Sequence, residues 1–321
     1  MQFSTCCFSS DYFFFDTIKP PFAGTNFKLN LGPEEPTLGG SVYGKRRWGA
    51  REVVVEADSV DVAQHALNLV RLSLGIIHNM HMFEPMTMTV TRRRKNGENV
   101  DSPMSTSHFQ LAMFVAAKSS FRRARVRALA KYGLSLELCS VPPIELSPGH
   151  APFHLPRSVH PEEHLRLAYS VVLAYAAIEE LKLEVRASQK NPSFINGQWN
   201  RKVLNDLEER LRRAGIDLNE PVRVLQRGQL TSIDKKRAEK GQRTRWRPRG
   251  RVRDADMPVV DAINDLSFLR SRVSAHASGE IHKLSPYDAA TAQRLVRRLF
   301  LESVGAWRIL RSPTHRNAPR P

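Results

Sequence analysis

Hydrophobic positions along the chain change period partway, and the change suggests two parts. Residues 1 to about 45 are rich in aromatics, Gly and Pro with no sustained period, which predicts irregular structure or short strands. From Arg51 the run REVVVEA reads as a short β-branched strand. Asp58 or Ser59 then stands where an N-cap belongs, and Val62, Ala66, Leu69, Val70, Leu74 and Ile77 recur at helical spacing. FQLAMFVAAKSSFRRARVRALAKYG predicts a second helix closed by Gly133, and LSLELCSV another strand. The Pro-loaded stretch SVPPIELSPGHAPFHLPRSVHP cannot continue either element, which sets a boundary between about 141 and 160. Residues 1–150 are therefore expected to form a small α+β domain.

Beyond the boundary the period is helical. Residues 161 to 184 open with Pro161 and two Glu, both favoured in a first turn, and carry Leu165, Ala168, Val172, Tyr175, Ile178 and Leu181 on one broad face. Trp199 to Ala214 follows, with Asn200 as N-cap, a stripe of Val203, Leu204, Leu207 and Leu211, and Gly215 at the C-terminal cap. A third helix runs from about Pro258 through VVDAINDLSFLRSRVSAH, and a fourth opens with Ser285, Pro286 and Asp288. The pattern predicts an all-α bundle of four to five helices over 151–311, with 312–321 as a flexible tail.

Charge adds a partner class to this picture. The chain has 321 residues, 49 Lys or Arg and 32 Asp or Glu, a formal net charge of +17 that favours a polyanion, either nucleic acid or an anionic membrane surface. More than half of that excess, +9, lies in one segment between the second and third helices, KKRAEKGQRTRWRPRGRVR, inside an insertion at 235–256. Lys235, Lys236, Arg237, Arg243, Arg245, Arg247, Arg249, Arg251 and Arg253 are candidate phosphate contacts, with Trp246 placed among them to stack on a base. A solvated basic loop with no specific role has the same composition.

Cys6, Cys7 and Cys139 are an odd set without C-x-x-C spacing, so reduced thiols are expected rather than a disulfide framework or a thiolate zinc site. MQFSTCCFSSDYFFFD has neither the basic start nor the continuous apolar core of a secretory signal, and AYSVVLAYAAI is too short to span a membrane, so a cytoplasmic protein without membrane contact is expected. Phosphate-loop, dinucleotide, zincin and nucleophile-elbow motifs are absent from the sequence. His78 and His81 with Glu84 have a spacing that can hold a metal, but without a further ligand cluster they read as ordinary helix-terminal histidines. His150, His154, His160 and His164 fall in or beside the Pro-rich stretch, where solvent-facing histidines are expected. No cofactor or metal is expected.

The segment DLSFLRSRVSAHASGEIHKLSPYDAATAQRLVRRL resembles the end of a HEPN domain, and more particularly the Apea-like or abortive-infection type. The signature of that helical-bundle family is an Arg, usually followed by a polar residue, then a His four to six residues after the Arg at a helix end. Arg270, Ser271 and His276 fit it, and the helix opened by LSPYDA is similar too. The family most often has Asn after the Arg and a spacing one residue shorter. The resemblance covers about 161 to 304 and does not reach residues 1–150. On a regular helix residues six apart are separated by about 240°, whereas Arg272 and His276 lie within about 40°. A regular helix therefore favours Arg272, whereas fraying at Ser274, Ala275, Ala277, Ser278 and Gly279 would let His276 swing toward Arg270; Arg270 is the first choice for the Arg and Arg272 the second.

What the resemblance implies is a metal-independent endoribonuclease acting on RNA, single-stranded by expectation, as a toxin or antiviral defence effector, with two motifs brought together in a homodimer of bundles. His276 would act as general base or acid, and Arg270 would hold the scissile phosphate. Glu179 or Glu180, late in the first long helix, would orient them; the alternative is a surface carboxylate. The other implied class is a noncatalytic HEPN-like RNA- or nucleotide-binding sensor, with residues 1–150 contacting a regulator. A DNA-binding structural protein would use the same charge without needing Arg270 or His276.

Overall fold

A computed structural model describes residues 2–10, 18–32, 35–36, 49–79, 106–139, 161–196, 198–227, 252–271, 284 and 286–311. They belong to two compact units, one built from Met1–His78, Met82–Val126 and Val304–Pro321, the other from Asn79–His81 and Arg127–Ser303.

The first unit contains a five-stranded antiparallel sheet of β1 (Gln2–Ser10), β2 (Phe22–Gly24), β3 (Phe27–Leu31), β4 (Glu35–Pro36) and β5 (Gly49–Ala57). Its order is β1-β5-β3-β2, with β4 also paired to β5. The run predicted as a strand at Arg51 is thus part of the central β5. Phe27 and Leu29 are buried and Lys28 between them exposed, and Leu29 stands opposite Val55. That is the period-2 alternation of a sheet with one covered face. Two helices cover it, α1 (Val60–His78) and α2 (Thr106–Ser120). Ser59 Oγ accepts from the Val62 N–H at 3.3 Å, so Ser59 is the α1 cap. Ala66, Leu69, Val70, Leu74 and Ile77 of the predicted stripe are buried.

The single helix expected over 109–133 is two helices. Ser119 Oγ and Ser120 Oγ donate back to the carbonyls of Val115 at 2.6 Å and Ala117 at 2.7 Å, and the chain turns at Phe121 before α3 (Arg123–Leu138) begins. Serines bonded back to their own helix compete with its continuation. Gly133 lies inside α3 and does not end it, and the strand expected at LSLELCSV is, over Leu134–Leu138, the end of α3. Ala128, Leu129, Tyr132, Ser135 and Leu136 are buried together, so the 3.6-residue period prevails there.

The second unit takes the rest of α3 and adds α4 (Pro161–Glu180), hairpin β6 (Phe194–Ile195) and β7 (Gln198–Trp199), α5 (Arg201–Arg213), hairpin β8 (Val222–Arg227) and β9 (Val252–Met257), α6 (Val259–Leu269) and α7 (Pro286–Ser303). The short α8 (Trp307–Arg311) groups with the first unit. An α+β part followed by a mainly helical part is what the sequence predicts. Two details differ. The second unit is not all-α: Val222 and Val224 alternate with exposed Arg223 on β8, and that half-covered ladder closes the insertion, so residues 252–256 are strand. The second half of α3 also groups with the later helices rather than with residues 1–126. Ser135 Oγ donates to Ser170 O at 2.8 Å, Ser170 Oγ to Ser135 O at 2.9 Å, and Gln293 Nε2 to Cys139 O at 2.7 Å. These bonds tie α3, α4 and α7 into one core.

On α4 the covered face is Leu167, Ala168, Val171, Ala174, Tyr175 and Ile178, turned from the predicted one, and Leu165 is 51% exposed. The caps of α5 are as read. Asn200 Oδ1 accepts from the Lys202 N–H at 3.1 Å, and Gly215 has φ +83°, with Gly215 N–H to Arg212 O and Ile216 N–H to Leu211 O completing a Schellman turn. The predicted boundary stretch 141–160 and tail 312–321 lie outside the described residues.

Candidate functional site

The end of α4 is fixed from both sides. Lys182 N–H donates to Glu179 O and Leu183 N–H to Ile178 O, again a Schellman turn, but here the left-handed position, φ +60°, is filled by Lys182. Arg210 of α5 holds that turn through Lys182 O at 2.6 Å and Glu184 O at 2.9 Å. The last helical turn then presents two adjacent carboxylates in different directions.

Glu180 faces α3, where it accepts from Lys131 Nζ and Arg127 Nε, both at 2.7 Å. Those two hydrogen bonds, Lys131 first, hold its carboxyl below the usual carboxylate range. Glu179 faces α6. Arg270, the C-cap of α6, places Nη2 3.6 Å from Glu179 Oε1 and its guanidinium carbon 5.7 Å from the centre of the Tyr175 ring. Of the two glutamates that the sequence leaves open, Glu179 is the partner of Arg270 and Glu180 is committed elsewhere.

Tyr175 and Ser267 complete this corner. Tyr175 is 3% exposed, and burial pushes its phenol up, opposed by a hydrogen bond from Ser267 and by the Arg270 charge. Sequence reading assigned Tyr175 only to an apolar face. Its signal was spacing: Tyr175 is four residues before Glu179, and Ser267 three before Arg270, so each pair shares a helix face. The Arg270 and Glu179 side chains remain 39% and 37% exposed. One carboxylate oxygen does not occupy a guanidinium with five donors, so Arg270 can still take two oxygens of a phosphate while the Tyr175 ring orients its plane.

Arg272 and His276 lie outside the described residues, as do Lys235, Lys236, Arg237, Arg243, Arg245, Trp246, Arg247, Arg249 and Arg251. Arg253 is in β9, paired with Gln226. His81 and Glu84 are likewise outside, while the His78 ring meets His108 edge-on at 4.4 Å. His164 is buried at 4% exposure in α4, not solvent-facing as expected: it sits three residues before Leu167 on the covered side. No helix among the described residues is long and apolar enough to cross a membrane.

The fold and this corner define a mainly helical unit with an accessible Arg–carboxylate–aromatic cluster at a helix end, preceded by an α+β unit. Compared with models of protein families, with curated proteins and with solved structures, the chain matches none.

Proposed function

We propose that the chain is an endoribonuclease of HEPN type that cuts single-stranded RNA without a metal. The observation that supports this reading is the position of Arg270: it caps α6, faces Glu179 of α4, and precedes by six residues the His276 that the motif requires. In the reaction the RNA 2′-oxygen attacks phosphorus and the 5′-oxygen leaves, giving a 2′,3′-cyclic phosphate and a 5′-hydroxyl. One His276 takes the 2′-hydroxyl proton, and the His276 of a second copy gives a proton to the leaving oxygen. Arg270 balances the charge that develops on the phosphate, and Glu179 with Tyr175 positions Arg270.

The test is incubation of wild type, Arg270→Ala and His276→Ala with end-labelled single-stranded RNA in EDTA, with analysis of product ends. Cyclic-phosphate fragments from wild type alone are expected. Binding by all three without fragments transfers the weight to a noncatalytic RNA-binding module, and equal cleavage by all three removes Arg270 and His276 from the chemistry.

A further inference from the structure

The first unit has a cleft that the ribonuclease reading does not use. Residues 18–21 and β2 form one wall, α2 from Phe114 to the turn at Phe121 forms the other, and the space between is about 450 Å³. That lies in the range of small-ligand sites. Both ends are pinned. Gln110 Nε2 donates to Ile18 O at 2.5 Å, the Thr25 N–H donates to Ser120 Oγ at 2.9 Å, and Thr25 Oγ1 donates to Ser120 O at 3.0 Å. The walls are thus held in place without an occupant.

The lining combines two chemistries. Phe22 and Phe114 meet edge-to-face with centroids 6.0 Å apart, and Phe121 keeps 61% of its surface exposed beside them. Lys19 and Lys118 are the charged residues among the described lining, with Lys118 Nζ 5.7 Å from the Phe114 ring centre, and no carboxylate is among those described residues. The chain leaves the cleft as Arg122-Arg123-Ala124-Arg125. Arg122 and Arg123 are exposed, and Arg125 is held below the usual guanidinium range by burial and then by the Arg122 charge. The Arg122 charge thus opposes that of Arg125, and an anion beside Arg122 would offset that repulsion. A purely apolar occupant makes no use of the positive charge of Lys19 and Lys118, and a bare anion leaves the rings uncovered. A flat aromatic group carrying phosphates satisfies both.

We propose that this cleft binds an unpaired nucleotide of single-stranded RNA, its base against Phe121 and its phosphates at Lys19, Lys118 and Arg122. Rings supply sequence-tolerant stacking and the cations follow the backbone, the arrangement by which unpaired strands are held. The site gives the first unit a role of its own, and it stands whether or not the second unit cuts RNA.

The probe is a fluorescein-labelled oligouridylate with 2′-O-methyl groups, which 2′-hydroxyl attack cannot cleave, titrated with the full chain in EDTA and read by fluorescence anisotropy. Phe121→Ala is expected to raise Kd about 5- to 150-fold with the salt slope unchanged, and Phe121→Trp to restore binding. Lys118→Gln is expected to lower the slope of log K against log salt by about 0.7, the share of one phosphate on a single strand. Phe121 and Lys118 are both exposed, so these variants test the cleft and not the core. Wild-type Kd and slope in both variants would overturn the proposal, leaving the basic segment 235–253 as the RNA contact. Duplex RNA competing as well as the single strand would also overturn it, because paired bases cannot stack on Phe121.

Discussion

Arg298 and Glu302, one turn apart on α7, form a deeply buried ion pair, with side chains 3% and 5% exposed. Arg298 Nε lies 3.3 Å from Glu302 Oε1, Arg298 Nη2 donates to Asp217 O at 2.8 Å, and the Asp217 N–H donates to Glu302 Oε2 at 3.3 Å. This closed ring attaches α7 to the turn after α5. At 3.3 Å and an effective dielectric near 20 the bare attraction is about 5 kcal/mol, most of which offsets desolvation of the two charges. Removing one partner leaves the other charge buried alone, so Arg298→Met is expected to cost about 3–5 kcal/mol at neutral pH. The pH dependence has a definite sign. Burial already raises Glu302 above the usual carboxylate range, against the pull of Arg298. Its contribution is therefore fully present below the ordinary carboxylate value of about 4.3 and is lost as pH rises through the higher folded value. Without Arg298 that folded value climbs further and the loss deepens, while protonated Glu302 needs no counter-charge. Urea unfolding followed by circular dichroism should show a large deficit for Arg298→Met at about pH 7.5 and a much smaller one at about pH 4. Adding Glu302→Leu should recover most of the loss at neutral pH. A deficit below about 1 kcal/mol, or one equal at both pH values, would refute the reasoning.

Gln293→Leu should lower stability by about 1–3 kcal/mol in thermal melts, because Cys139 O and Ser135 O lose the Nε2 donor that reaches them at 2.7 and 3.1 Å. Lys182→Gly should raise the urea midpoint, worth about 1 kcal/mol, since the left-handed turn after α4 at φ +60° suits a residue without Cβ. Arg270→Ala should abolish RNA cleavage while changing stability by less than about 1 kcal/mol, because its ion pair with Glu179 is more than a third exposed; a cooperative loss of several kcal/mol in urea would make Arg270 a structural residue.

The well-punctuated elements were legible in the sequence. Asn200 and Gly215 frame α5, and Pro286 opens α7, because each residue type supplies a backbone geometry or a capping atom that few others supply. What stayed hidden depends on bonds that sequence spacing does not encode. Lys182 ends α4 in a left-handed turn with no glycine to signal it, and Arg210 stabilises that turn through backbone carbonyls from another helix. The break between α2 and α3 was hidden because serines turned back on their own helix look, in sequence, like ordinary helix positions. The β8–β9 hairpin was masked because its two strands stand at either end of the basic segment and pair only across it.

The choice between Glu179 and Glu180 could not be made from sequence for the same reason, and its outcome bears on the motif. Neighbouring residues on a helix point about 100° apart, so α4 can face α3 with Glu180 and α6 with Glu179 only because both helices pack beside its last turn. The same rotation acts on α6. With Arg270 turned toward Glu179, a regular continuation would carry Arg272 about 200° around the axis and His276 about 240°, away from the carboxylate. A motif pairing Arg270 with His276 therefore needs the chain to leave the helical path soon after Arg270. The α-helical bonding of α6 ends at Leu269, but Arg270 keeps helical dihedrals, φ −58° and ψ −48°, and Arg270 and Ser271 continue the path as a wider helical turn. Ser274, Ala275, Ala277, Ser278 and Gly279 are small residues that impose little on the path that follows. Pairing of Arg270 with His276 thus requires a departure from the helix beyond Ser271, where reach rather than helical phase would decide which Arg His276 meets, and Arg270 is the one that faces Glu179 of α4.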